Sequence, residues 1–176
     1  VVQGMFRFYG ISAHAAAAPD RGRSALDGVE AMNYMVNMMR EHVPQESRIH
    51  YVIKKGGEAP NVVPAYAEVE YIVRSPEVED VKNLWSRVVK AAEAGAMGTE
   101  TTVKVEVISG IYNLLPNETL AKLQHENLKK VGGVHYTPEE EAFAKKMQES
   151  FGYSAHPISQ AQEVQEYKLG FFPAST

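Results

Sequence analysis

Two hydrophobic periods alternate along most of this chain, and their order is the tightest constraint on its fold. Residues 2–11 alternate, with Phe6 and Phe8 on one face and Arg7 and Tyr9 on the other, as a half-buried strand requires. From Ser24, a plausible N-cap, the period changes to three and four: Ala25, Val29, Met32, Val36, Met39 and Val43 form one helical stripe, stopped at Pro44. Arg48 to Lys54 alternates again on Ile49, Tyr51 and Ile53. So does Ala67 to Arg74, on Ala67, Val69, Tyr71 and Val73. Ser75-Pro76-Glu77 reads as a helix start, and Val78, Val81, Trp85, Val88 and Ala92 form a second stripe whose end Gly95 and Gly98 loosen. Thr101 to Ile108 alternates on Val103, Val105 and Val107.

The order β-α-β-β-α-β predicts an α+β domain of the ferredoxin-like, split βαβ type. Four antiparallel strands carry two helices on one face, and Glu68, Glu70, Lys104 and Glu106 remain on the other, towards water. The methionines Met32, Met35, Met38 and Met39 mostly extend the first stripe, which favours core packing over a binding surface.

After Pro116 the character changes. Asn117 caps a helix running to Val131, which Gly132-Gly133 ends. Thr137-Pro138-Glu139-Glu140 starts another, and the acids of its first turn suit the helix dipole rather than catalysis. Beyond Gly152 no period is clear, so loop is expected. The predicted division is 1–115 for the sheet domain and 116–176 for a helical segment with a loosely ordered tail.

A length of 176 residues suits one domain, or one domain with an appendage. A hydrophobic share of 44% and a charged share of 23% suit an ordinary soluble globular protein. A net charge of −4 without a basic run argues against a nucleic-acid surface. The chain has no cysteine, which excludes disulfides and thiolate metal sites and fits a cytoplasmic protein. No apolar run reaches membrane-spanning length, and no signal peptide is visible. Starting at Val1 inside a strand-like run and stopping at Thr176 without a closing element, the chain reads as a piece of something larger.

Chemistry-bearing motifs are sparse. No two histidines sit at ligand spacing on one helix face, and there is no P-loop, G-x-G-x-x-G or G-x-S-x-G. One loop stands out: His14 lies among Ala13, Ala15, Ala16, Ala17 and Ala18, small neighbours that let a ligand or another chain approach the imidazole. A histidine that only hydrogen-bonds inside a tight turn fits the same pattern.

These residues carry a resemblance. Gly10-x-x-Ala13-His14-Ala15-Ala16 with Pro19, followed by Ala25-Leu26-Asp27, resembles the lid (dimerisation) domain of the M20 metallopeptidases and amidohydrolases. Gly56-Gly57-x-Ala59-Pro60-Asn61-Val62-Val63-Pro64 and Tyr71-Ile72-Val73-Arg74-Ser75 resemble its following loop and strand. Arg40-Glu41-His42-Val43-Pro44, Arg48-Ile49-His50-Tyr51 and Ser109-Gly110-Ile111-Tyr112-Asn113 are similar to its aminobenzoyl-glutamate amidohydrolase branch.

The resemblance implies a lid inserted in a catalytic domain that holds two metals, zinc or manganese. The lid forms a homodimer, and the substrate is a small amide beside a carboxylate. The family's metal ligands and general base lie outside the lid and have no match here, so the chain alone is expected to hydrolyse nothing; residues 116–176 are then the return segment of the catalytic domain. By the same resemblance His14 stabilises an oxyanion in the partner's site, Asn61 holds the substrate's polar end, and Arg74 clamps a carboxylate. Residue chemistry leaves simpler roles open: Asn61 as a turn former, Arg74 as a partner of Glu68 or Glu70. A ferredoxin-like module that only dimerises or binds a small molecule is the competing class.

Overall fold

A computed structural model of the chain describes residues 1–151 and 162–167. The elements are β1 (Val2–Tyr9), α1 (Ala25–Met39), β2 (Arg48–Lys55), β3 (Tyr66–Arg74), α2 (Val78–Gly98), β4 (Thr102–Gly110), α3 (Glu118–Val131) and α4 (Pro138–Ser150). The four strands form one antiparallel sheet in the order β2-β3-β1-β4. This is the split βαβ arrangement expected from the alternating periods. The chain divides into two compact units, one spanning Val1–Asn113 and one beginning at Leu114.

In the first unit the alternating apolar residues of the strands meet the two helical stripes. Phe6, Phe8, Val69, Tyr71 and Val73 from the sheet and Val29, Met32, Val36, Leu84, Val88 and Ala92 from the helices are buried in one core. Met39 packs against that core, whereas Met38 is 50% exposed and so lies outside the stripe expected to bury it.

On the opposite face of the sheet, charged side chains pair across strands. Arg7 bridges Glu68 and Glu106, and Lys54 pairs with Glu70. Gln3 also donates to Glu70, and this bond, ahead of Lys54, holds the carboxyl below the usual carboxylate range.

Three local readings change. The first strand ends at Tyr9 rather than Ile11, because Ile11 turns away to exchange backbone hydrogen bonds with Arg23, at 2.8 and 2.9 Å. Gly10 permits this turn: a Cβ there would strike the Arg23 carbonyl. The second helix starts at Val78, after Glu77 and not after Ser75, which is buried just past the end of β3.

Gly95 does not loosen that helix. It lies buried inside it, against the backbone of α1, where an added Cβ would come within 2.9 Å of the Gly28 carbonyl.

In the second unit Asn117 caps α3 by accepting from the Leu120 N–H, and Gly132 ends it with φ at 87°. Thr137 and Glu140 close a capping box at the start of α4, with Glu139, Glu140 and Glu141 in its first turn. The expected loop beyond Gly152 lies outside the described residues, except for 162–167. No helix among the described residues is long and apolar enough to cross a membrane.

Candidate functional site

Two loops at one end of the sheet are joined by backbone. Gly10 donates to Ala65, which brings the end of β1 beside the start of β3. His14 and Val62 then form an antiparallel bridge, with Ala15 N–H donating to Asn61 (3.0 Å) and Val63 N–H to Ala13 (2.9 Å). The two loops singled out in the sequence are thus one structure. Gly57, at φ 131°, and Pro64, whose carbonyl accepts from Ala25 N–H, fix its outer edge.

Within this pair the His14 ring is oriented. Its Nδ1 accepts from the backbone N–H groups of Ala16 (3.2 Å) and Ala17 (3.1 Å), and its own carbonyl accepts from Ala18. A nitrogen that accepts two N–H groups carries no proton, so in the neutral ring the proton is on Nε2. Nε2 has no hydrogen-bond partner among the described residues, and His14 is exposed. The alanines serve this geometry directly: their backbone closes over one ring edge and leaves the other open. Asn61 is exposed beside it. The turn that the sequence offered as its simple role is present as well, since Val62 N–H donates to Ala59.

Arg74 sits elsewhere. It ends β3, whereas the His14–Asn61 pair precedes the start of that strand. Eight residue steps separate Tyr66 from Arg74, about 26 Å of strand. Its expected partners are engaged with others: Glu68 with Arg7 and Tyr66, Glu70 with Lys54 and Gln3. The Nε of Arg74 is buried without a hydrogen-bond partner, and no carboxylate of the described residues pairs with it.

Sequence reasoning assigned Arg48 no role, yet it lies directly opposite Arg74 in the β2–β3 register. Nothing in either strand's own pattern reveals that pairing. Among the described residues, no three histidine, aspartate or glutamate side chains converge as metal ligands would.

A second surface also stands out. Glu30, Tyr34, Asn37, Met38 and Glu41 recur along one exposed side of α1 and the turn after it. Tyr34 is 68% and Met38 50% exposed. The outer strand β2, next to the strand β3 on which α1 packs, exposes Tyr51, Val52 and Ile53. The outward side of α2 is instead largely charged, with Glu79, Lys82, Lys90 and Glu93.

Residues 1–100 match the M20 peptidase dimerisation domain. The chain is 45% identical over 148 residues to one of the subunits of the p-aminobenzoyl-glutamate hydrolase of Escherichia coli K12, an alignment covering 84% of this chain and 31% of that protein. It is 35% identical over 127 residues to the Xaa-Arg dipeptidase of Mus musculus, covering 72% of this chain and 30% of the other. The crystal structure of an aminobenzoyl-glutamate utilization protein from Klebsiella pneumoniae superposes with a TM-score of 0.62 at 19% identity, over 76% of this chain and 34% of that one. The chain therefore spans about a third of the length of these relatives.

Proposed function

The chain belongs to the M20 peptidase dimerisation-domain family, and from that premise we propose that it is the lid of an amidohydrolase that cleaves an amide next to a carboxylate. The lid pairs with a second copy, and each substrate is enclosed by residues of both. The observation that carries this reading is the oriented His14 ring, with Nδ1 tied to Ala16 and Ala17 and Nε2–H open.

When water adds to an amide carbonyl, negative charge develops on the carbonyl oxygen. A fixed, exposed N–H at that oxygen stabilises the transition state more than the ground state. His14 Nε2–H has those properties. Asn61, exposed beside it, offers an amide N–H and an acceptor oxygen to the substrate's polar end. Arg74 offers a planar guanidinium to a carboxylate.

Arg74 and His14 of one chain are too far apart to hold the same small substrate. A two-fold pairing of β2 with the β2 of a second copy removes that difficulty. The antiparallel pairing lays the Arg48 end of one strand beside the Lys55 end of the other. Arg74 of one protomer then approaches the partner's loop pair. Tyr34 and Met38, exposed on α1, would add apolar area to it.

The described residues do not fit a two-metal centre by themselves. Zinc or manganese would be held by parts of the enzyme outside this chain, and the segment from Leu114 onward would belong to that catalytic domain. The absence of cysteine suits a reducing compartment, the cytoplasm.

The test is complementation in the full-length enzyme. A His14→Ala subunit mixed with a subunit whose catalytic residues are disabled should regain activity in hybrid dimers. No recovery in proven hybrids refutes action across the interface. The chain alone should show no amide turnover with zinc or manganese added, and turnover above blank would refute its assignment as a lid only.

A further inference from the structure

We propose that Arg48 is a specificity residue that reads a second carboxylate on the substrate, beside the one held by Arg74; this rests on the reading of Arg74 as a carboxylate clamp. Arg48 and Arg74 are register partners on adjacent strands. Directly opposed like charges destabilise a sheet unless something neutralises them. Most other cations of this sheet and its loops pair with acids: Arg7 with Glu68 and Glu106, Lys54 with Glu70, Lys55 with Glu58, Arg23 with Glu100; Lys104 lies instead over the Tyr9 ring. At Arg48 and Arg74 no carboxylate among the described residues does so.

Three further observations point to a ligand. Arg74 Nε is buried and has no partner among the described residues, a costly state for a guanidinium N–H unless an acceptor arrives. Arg48 is anchored: its Nη1 donates to the carbonyls of Gln45 and Ser47, each at 2.7 Å, which holds the group in place while its other donors meet no partner among the described residues. Both residues belong to the helix-free face, because the next register pair, Ile49 and Val73, is buried on the opposite face.

A depression of 260 Å³ on this part of the sheet is lined in part by His50, Val52 and Ile72, and by Glu70, whose charge Lys54 offsets. His50 and Ile72 are the register pair two residues along from Arg48 and Arg74, on the same face. Two guanidinium groups whose Cβ atoms stand about 5 Å apart match two carboxylates joined by a short aliphatic chain, as in an acidic amino acid.

The experiment compares an N-aroyl-glutamate with the matching N-aroyl-glutamine, which differ only in the second carboxylate, as substrates of the full-length enzyme. In Arg48→Ala the ratio of kcat/KM for the glutamate over the glutamine compound should fall about 10- to 100-fold, carried by KM. Arg48→Lys should restore part of it. Arg48→Gln, which keeps a donor for the Gln45 and Ser47 carbonyls, is measured beside them to cover a failure of Arg48→Ala to fold. Arg74→Ala should lower kcat/KM for both compounds. An unchanged ratio in Arg48→Ala and Arg48→Gln, with Arg74→Ala impaired on both substrates, overturns the Arg48 proposal alone. Full activity of Arg74→Ala on both overturns the clamp and this inference with it.

Discussion

Tyr71 donates its hydroxyl to Asn33 Oδ1 at 2.6 Å across the buried interface between β3 and α1. Its ring stacks on Tyr51 and meets the edge of Phe6, so one side chain ties an outer strand, the sheet centre and a helix together. Tyr71→Phe removes the donor and leaves Asn33 with a buried, unmatched acceptor, which should cost about 1–3 kcal/mol in urea unfolding.

The same residue makes stability pH-dependent. Burial, followed by the neighbouring Tyr51, pushes the Tyr71 phenol well above its usual value of 10.0. The unfolded state loses this proton at a lower pH than the native state does. Stability is therefore complete below about pH 10 and declines as pH rises past it. Urea midpoints at about pH 8 and about pH 11 should differ less in Tyr71→Phe than in the parent sequence. An equal drop in both would assign the alkaline loss to other groups.

Two glycines of one helix should respond oppositely to alanine. At Gly95 a methyl would press on the Gly28 carbonyl at 2.9 Å and the Met32 nitrogen at 3.1 Å, backbone atoms that cannot rotate away. Gly95→Ala should destabilise by about 1–3 kcal/mol. At Gly98 nothing lies within 4 Å of the added carbon. Gly98→Ala should be neutral or stabilise by up to about 1 kcal/mol, through a less flexible unfolded chain. Thermal unfolding of the two variants decides the matter.

In the full-length enzyme His14→Ala should lower turnover about 100- to 1000-fold, equivalent to about 2.7–4 kcal/mol for a lost oxyanion donor. The exposed loop position leaves the core untouched, so circular dichroism and the unfolding midpoint should barely move. Unchanged turnover would end the oxyanion role and favour a module that only dimerises.

The exposed side of α1 should govern association. Replacing Tyr34 and Met38 together by aspartate puts two charges where the proposed interface is apolar. Sedimentation should shift from dimer to monomer, while the fold stays intact because neither side chain is buried. A dimer that survives the double change would move the interface to the β4 edge.

Much of the fold was legible because periodicity is a local property. Whether Val69, Tyr71 and Val73 face inward depends on alternation along one strand, and Val29, Met32 and Val36 on the turn of one helix. Caps are equally local, which is why Asn117 and Thr137 could be read directly as helix starts. The M20 motifs likewise lie within short stretches around His14 and Asn61, and they marked the loops that the fold joins into one structure.

What only the tertiary structure decided is which of these stretches meet. Strand order and register bring His14 against Val62, place Arg74 at the far end of β3 from that pair, and set Arg48 opposite it. They also convert Gly95 from an apparent weak point into the contact between two helices. Each of these relationships joins residues distant in sequence, and no pattern along either partner encodes the other's position. Amino-acid order determined the faces of every element; packing those faces into one core determined their neighbours, and with them the geometry proposed for catalysis.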